Sequence, residues 1–390
     1  MAGTPASPVT NLYVHVPFCA RKCEYCAFFS EVSDADTMSR YVTALVRELE
    51  LVATDLAPEA IFFGGGTPSL LAPRHWEEVF RALDRLRLLN AAEWTIECNP
   101  ATVSLDKARL WREAGVNRLS LGVQSLNEDL LDRLGRVHSR SAVFKSFDLL
   151  RRAGFDNLNL DLMFAIPGQT LAAWRETLCE ALAMDSEHLS SYEVIYEDDT
   201  PLFAELHAGE FDVDEDLACE MYEELVAQAV AAKFHQYEVA NFAKHRCAAP
   251  AEIPSHACRH NVNYWRGGPF YGLGPSATSY VRGVRTKNWS NTRLYCEQLE
   301  QGRRAIESTE ELSPLGRAGE TAAFGLRMTA GWPFAVFKQV TGFDLREHWG
   351  GEMRKLVDCG WARLDEERFQ LTPEGLRFAD AAAQEFLRPE

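Results

Sequence analysis

Three observations predict an α/β fold built on a parallel sheet for the first half of the chain. Six apolar, β-prone runs within residues 12–196 alternate with segments of helical period, the pattern of right-handed βαβ crossovers. Residue types that bind ligands fall at the C-terminal ends of these runs, the end at which barrel active sites are built. Beyond Glu224 the alternation stops, and a small module of helices followed by a hairpin closes the chain. Periodicity alone leaves a full barrel, a partial barrel and an open sheet as alternatives.

The first run, Leu12, Tyr13, Val14 and Val16, ends at Pro17 and delivers Cys19, Cys23 and Cys26 into a short loop with C-x3-C-x2-C spacing. A helix is predicted over 38–52, where Tyr41, Leu45 and Leu49 recur every fourth residue. Ala60-Ile61-Phe62-Phe63 reads as a buried parallel strand and ends in Gly64-Gly65-Gly66-Thr67-Pro68. Pro73 opens the next helix, with Trp76, Val79, Phe80 and Leu83 on one face. The unit repeats as strand 94–98, helix 104–114, strand 118–123, helices 128–134 and 141–153, strand 157–164, helix 171–184 and strand 189–196. Glu97 and Asn99 follow the third run, Gln124 the fourth, Asp161 lies within the fifth, and Tyr192 to Ile195 end the sixth.

Composition narrows the function. With 46% hydrophobic and 25% charged residues, the 390-residue chain reads as a globular protein of more than one module. No stretch approaches the roughly 20 apolar residues of a membrane span, so no transmembrane segment is expected. The first ten residues lack the basic cluster and apolar core of a secretory signal, which makes the cytoplasm the default location. A net charge of −17 argues against nucleic acid as a partner, since phosphate backbones are held by clustered Lys and Arg. Residues 193–224 hold thirteen acids and no Lys or Arg; a solvated helix with its lead-in loop is favoured there over a docking face for a basic partner.

Three thiols within eight residues, with no nearby fourth ligand, do not make a standard zinc knuckle. Soft thiolates suit iron-sulfur clusters, and three of them on a four-iron cluster leave one iron open. Glycines after a buried strand let the backbone approach a ligand, and their unshielded N–H groups can hold a carboxylate. The remaining cysteines, Cys98, Cys179, Cys219, Cys296 and Cys359, fall in segments that predict buried thiols. His245, Cys247, His256, Cys258 and His260 concentrate metal-ligating types, though their spacings match no standard finger.

On Cys19, Cys23 and Cys26 the chain resembles the radical S-adenosylmethionine (SAM) enzymes. The resemblance implies a 4Fe-4S cluster on these cysteines, with S-adenosyl-L-methionine chelating the fourth iron. It also selects a partial six-stranded (β/α) radical SAM barrel over residues 1–224. Glu97, Gln124, Arg136 and Asp161 match, in order and spacing, the S-adenosylmethionine contacts of oxygen-independent coproporphyrinogen III oxidases and their relatives. By the same resemblance Tyr13 and Tyr25 pack near the cluster, Gly65, Gly66 and Thr67 contact S-adenosylmethionine, and Ile195 lies by the adenine. The glycine stretch resembles the element that meets the methionyl amino group.

Two families within this group compete. The oxidases of porphyrin biosynthesis, which decarboxylate coproporphyrinogen III anaerobically, have a fourth cysteine two residues after the third, and a longer N-terminal extension. Here Phe28 stands at that place, and only eighteen residues precede Cys19. Both departures favour the radical SAM heme chaperones of the HemW family, whose H-N-x-x-Y-W motif is matched by His260, Asn261, Tyr264 and Trp265 in the middle segment, 225–304. That resemblance implies heme as cargo, acceptor hemoproteins as partners, and an electron-donor protein. No catalytic residue is assigned, and no motif points to a homodimer, although that assembly is compatible with the resemblance. A neutral imidazole can ligate heme iron and aromatic rings can cover a macrocycle; the alternative is a His hydrogen-bonded within an aromatic-packed loop. Residues 305–390 predict a winged-helix-like α+β domain, with helices at 315–328, 333–340 and 346–358, a hairpin, and a closing helix after Pro373. Four acids and three bases over 344–358 exclude a DNA-reading helix.

Overall fold

The computed structural model describes residues 7–246 and 251–387. The chain divides into two compact units, one comprising residues 1–225, 270–281 and 285–309, the other 226–269, 282–284 and 310–390. The segment 225–304 is thereby shared between the two.

The first unit is a parallel sheet in strand order, with a helix after each strand. Strands β1 (Val9–Val16), β2 (Leu56–Gly65), β3 (Glu93–Cys98), β4 (Arg118–Gln124), β5 (Leu158–Phe164) and β6 (His188–Glu193) pair successively and all in parallel. They form the partial (β/α) barrel. Outside β1, Tyr271–Leu273 adds a further parallel strand, in the register Leu12↔Tyr271. The helices are α1 (Ala35–Val52), α2 (Pro73–Arg85), α3 (Leu105–Glu113), α4 (Glu128–Arg133), α5 (Arg140–Arg152), α6 (Leu171–Ala183) and α7 (Pro201–His207).

Local chemistry fixes these boundaries. Asp34, Ser104, Asn127, Ser139 and Thr170 each cap a helix by accepting a backbone N–H from its first turn. The outer layer is apolar and dense: Trp76, Trp94, Trp111 and Trp174 are fully buried between helices and sheet. Inside the barrel the residues are polar, because Thr95 on β3, Ser120 on β4, Asn159 and Asp161 on β5 and Ser190 on β6 share the inward face.

The strap 270–309 is fastened by a buried carboxylate. Glu48 on α1 accepts hydrogen bonds from Gly274 N (2.9 Å), Asn288 Nδ2 (2.8 Å) and the Tyr295 hydroxyl (2.8 Å). Three donors offset the desolvation of one carboxyl group, which is how a fully buried Glu is tolerated. Residues 193–224 form the exposed lead-in, α7 and the start of α8 (Glu215–Ala231), a solvated segment.

The second unit holds the winged-helix-like module. Helices Pro314–Gly325, Phe334–Thr341 and Leu345–Asp358 pack on a three-stranded antiparallel sheet of Trp332–Pro333, Arg368–Leu371 and Ala362–Leu364. Trp332 and Trp349 centre its core, and their indole N–H groups donate to Ala322 O and Phe386 O, each at 3.1 Å. His260 to Trp265, assigned to no element from the sequence, form the short helix α9 (Arg259–Trp265). No helix among the described residues is long and apolar enough to cross a membrane.

Candidate functional site

The loop after β1 is tied at its base and along its length. Glu31 N donates to Pro17 O (2.7 Å) and Cys19 N to Glu31 O (3.0 Å), which pinch the loop closed. Glu24 N donates to Leu134 O (3.1 Å) and accepts through its own carbonyl from Leu202 N (3.0 Å), anchoring the loop to the ends of α4 and α7. His15 holds it from beneath. Its Nε2 donates to Phe29 O (2.8 Å) and Nδ1 pairs with the Tyr13 hydroxyl (3.0 Å), an arrangement that suits the neutral ring. Burial pushes its pKa down, in agreement. Sequence reasoning passed over His15; its two-residue offset from Tyr13 on an inward strand face was the available signal.

The glycine turn after β2 is required by contact. A Cβ on Gly65, which has φ +102°, would lie 2.5 Å from the His15 ring, and one on Gly66 would lie 2.8 Å from the carbonyls of Val16 and Phe18. The expectation that these glycines offer unshielded N–H groups is corrected. Gly65 N donates to Glu97 Oε2 (3.2 Å), Gly66 N to Val16 O (2.8 Å) and Thr67 N to Phe18 O (2.7 Å). With their donors already engaged, the turn has acceptors to offer, which suit an ammonium better than a carboxylate.

Glu97 lies one residue before the end of β3, beside this turn. Burial, with the nearby Asp161 charge, pushes its carboxyl up to about 8. Asp161 is likewise pushed up by burial, against hydrogen bonds from Ser120, Asn159 and Ser190 and the charge of Arg118. Gln124 closes β4 at φ +65°, a left-handed position uncommon for a non-glycine residue, and the register with β5 shifts at this point. Arg136 sends Nη1 to Cys23 Sγ (3.3 Å) and Nη2 to Gly122 O (2.8 Å), while its buried Nε has no hydrogen-bond partner among the described residues.

These groups converge on one cavity of about 450 Å³, within the range of small-molecule sites. Its lining includes Cys19, Cys23, Tyr25, Cys26, Gly65, Gly66, Thr67, Glu97, Gln124, Arg136, Asp161 and Ile195. Of the residues expected there from the barrel half of the sequence, only Tyr13 stands outside the lining, behind His15. Ser120, Gly122 and Met163 line it too and were not foreseen; each shares the inward strand face with a residue that was. Phe28 and Ile195, 69% and 67% exposed, stand at its mouth with Glu193 and Glu197.

The donor set fits a cluster and S-adenosylmethionine. Three thiols from one loop face the cavity, and two buried carboxyl groups await cationic groups there. The orphaned Arg136 Nε leaves one donor for an anionic or carbonyl group of a ligand. Among the described residues no three or more His, Cys, Asp or Glu are gathered for one metal ion. A four-iron cluster, which takes each thiolate on a separate iron, makes no such demand.

The comparisons agree with this geometry. The Radical SAM superfamily model matches residues 13–180, and the HemN C-terminal domain model matches residues 312–378. The heme chaperone HemW of Bacillus subtilis is 33% identical over 371 residues, covering 94% of this chain and 96% of the relative. The chain belongs to the HemW family. Its Escherichia coli K12 member is 31% identical over 392 residues, covering 97% of this chain and 98% of its own. The radical S-adenosyl methionine domain-containing protein 1 of mouse mitochondria is 35% identical over 402 residues, covering 97% and 88%. Among solved structures, coproporphyrinogen III oxidase (HemN) from Escherichia coli superposes with a TM-score of 0.82 over 99% of this chain and 91% of its own, at 21% identity. The chain therefore shares the oxidase fold.

The HemW motif lies in the second unit. On α9, Tyr264 stacks on Phe324 with ring centroids 5.8 Å apart, and Arg327 lies over the Trp265 ring at 4.8 Å. His260 and Tyr264, one turn apart, share a face; His260 and Asn261 are half-buried and Tyr264 is exposed. The zinc alternative finds no support in the described part of its cluster: His245 Nδ1 accepts from Ser255 N (2.9 Å), Arg246 Nε donates to His256 Nε2 (3.1 Å), and Cys247 lies outside the described residues. Cys179 and Cys359, expected as buried thiols, are exposed because each falls on the outer face of its helix or at its end, whereas Cys98 and Cys296 are buried.

Proposed function

We propose that the protein is a heme chaperone that binds heme and delivers it to acceptor hemoproteins, on a scaffold holding a 4Fe-4S cluster and S-adenosylmethionine. The observation that carries the cofactor half is the convergence of three thiols, the glycine turn, Glu97, Gln124, Arg136 and Asp161 on one cavity. Cys19, Cys23 and Cys26 would hold the cluster, whose chemistry when bound is one-electron transfer at an open iron. The carbonyls of the Gly65–Thr67 turn and Glu97 would take the ammonium group of S-adenosylmethionine, and Arg136 would neutralise charge beside Cys23. Ile195 would cover the adenine. Tyr13 and Tyr25 would support the cluster loop.

The heme half rests on membership of a family of heme chaperones and on the match from His260 to Trp265. His260 would supply an axial nitrogen, Tyr264 and Trp265 would cover the ring, and Asn261 would orient the neighbouring polar groups. Cytoplasmic residence, an electron-donor protein and a homodimer belong to the same proposal.

The oxidase reading draws on the shared fold, the HemN C-terminal domain match and the S-adenosylmethionine contacts that both families have in common. Phe28 at the cavity mouth, in place of a fourth cysteine, and the flanking Glu193 and Glu197, which repel propionate groups, count against it. Heme titration of the anaerobically reconstituted protein separates the two. A Soret band that weakens in His260→Ala is expected, with coproporphyrinogen unchanged by S-adenosylmethionine and a reductant. Formation of protoporphyrinogen would establish the oxidase instead.

A further inference from the structure

Beneath the cavity lies a fully buried titratable residue to which the roles above give no task. His188, at the start of β6, places Nδ1 2.6 Å from Oδ1 of Asn159 on β5. The amide nitrogen of Asn159 faces the other way, 2.8 Å from Asp161 Oδ1, 2.7 Å from Ser120 Oγ and 2.9 Å from Ser190 Oγ. Ser120 completes the set by donating its hydroxyl to Asp161 Oδ2 at 2.8 Å.

Two members of this network decide its polarity. Serine hydroxyls both donate and accept, so they tolerate either orientation of an amide. Both Asp161 oxygens accept, Oδ1 from Asn159 and Oδ2 from Ser120, so Asp161 requires the NH₂ end of Asn159. The oxygen end, which also accepts from the Ser190 hydroxyl at 3.2 Å, then points at His188 and requires a proton on Nδ1. Remove that proton donor and only the Ser190 hydroxyl, which tolerates either end, stands against an amide that turns over and sets its oxygen against Asp161. Two acceptors in contact within a low-dielectric interior repel, and the carboxylate would swing from its place or take up a proton.

We propose that His188 is a positioning residue for the S-adenosylmethionine site: its Nδ1–H locks the Asn159 amide, which aims the Asp161 carboxylate into the cavity. The inference rests on the reading that this cavity takes S-adenosylmethionine. In that reading the ligand runs across the sheet from the glycine turn after β2 to Ile195 after β6. Asp161 on β5 lines the cavity between those two ends and would accept from the hydroxyls of the ligand's ribose.

Titration calorimetry of the anaerobically reconstituted protein with S-adenosylmethionine and its 2′,3′-dideoxy analogue tests this without reference to turnover. The wild type should prefer the hydroxylated ligand. His188→Leu should bind S-adenosylmethionine about tenfold more weakly, the scale of one lost charged hydrogen bond, and bind the analogue unchanged. His188→Gln, which retains a side-chain N–H, should restore the preference. Added to Asp161→Asn, His188→Leu should cost nothing further. The inference is overturned if His188→Leu keeps the preference, weakens both ligands equally, or adds independently to Asp161→Asn. Should His188→Leu fail to fold, Asn159→Ala is judged by the same criteria. A wild type that binds S-adenosylmethionine without preferring its hydroxyls overturns the relay alone, whereas one that binds neither ligand removes the underlying reading as well.

Discussion

The strand-end cavity of the first unit and the α9 face of the second carry the two halves of the proposed function, and they are built in opposite ways. Around the cavity, polar groups are buried at cost and held by hydrogen bonds: Asp161 by Ser120, Asn159 and Ser190, His15 by two partners, Glu97 by a glycine N–H. On α9 the motif residues are half-buried or exposed, and the element is a seven-residue helix whose Tyr264 stacks on Phe324 and whose Trp265 lies under Arg327. A site that must keep a small polar cofactor in one pose benefits from such over-determination. A surface that accepts and releases a flat apolar cargo does not.

The sharpest break of this comparison is removal of the cluster thiols. Replacing Cys19, Cys23 and Cys26 together by alanine should abolish bound iron and sulfide after anaerobic reconstitution, while heme titration gives an undiminished Soret band. Iron retention at the wild-type level would remove the loop from the proposal. Loss of heme binding alongside iron would show that the two halves are not separable.

Next in size is Gly65→Ala. The left-handed backbone costs an L-residue about 1–2 kcal/mol, and the new Cβ would lie 2.5 Å from His15, so a total loss near 3 kcal/mol is expected in denaturant unfolding. The same substitution at Gly342, which also has positive φ but open space around its Cβ, should cost only the backbone part. Equal losses at the two positions would mean that the His15 contact is relaxed away.

Both of these elements were unequally legible in the sequence. The C-x3-C-x2-C spacing, Glu97 at a strand end and Asp161 within a strand could be read because polar residues interrupt otherwise apolar runs there. His15, Ser120 and Asn159 were harder to read, because a polar residue inside a strand looks like the solvent face of a half-buried sheet until closure of the barrel turns that face inward. The direction of the glycine turn's hydrogen bonds was hidden for a related reason: which N–H groups are already engaged depends on β1 lying alongside, a long-range pairing. On α9, aromatic and glycine-rich neighbours masked the helical period, since seven residues span barely two turns.

A smaller and graded effect concerns acidity. Glu97 is protonated in the free site below about 8. S-adenosylmethionine brings cationic groups that favour the ionised form, so its affinity should rise between pH 6 and pH 8 by up to about tenfold per unit. Glu97→Gln should lack that rising limb. The stability sign runs the other way: a carboxyl whose folded pKa lies above its unfolded value stabilises the fold at low pH, and that contribution is lost as pH rises through about 8. Wild type should therefore lose more stability than Glu97→Gln between pH 5 and pH 8.5. An affinity profile with the same slope in both proteins would assign the ionisation to another group.

The smallest expected effect tests the other side of the comparison. Tyr264 is exposed and stacks on Phe324, an arrangement worth about 1 kcal/mol beyond area burial. Tyr264→Ala should lower stability by about that much and leave cluster content untouched, because nothing in the cavity lining includes it. If the exposed ring covers heme, affinity for heme should fall severalfold with only this modest loss of stability. A fall in stability of several kcal/mol would instead mark Tyr264 as part of the packing of the second unit. Unchanged heme affinity at unchanged stability would move the cargo off this face of α9, because a ring that stacks on a macrocycle cannot be removed without loss.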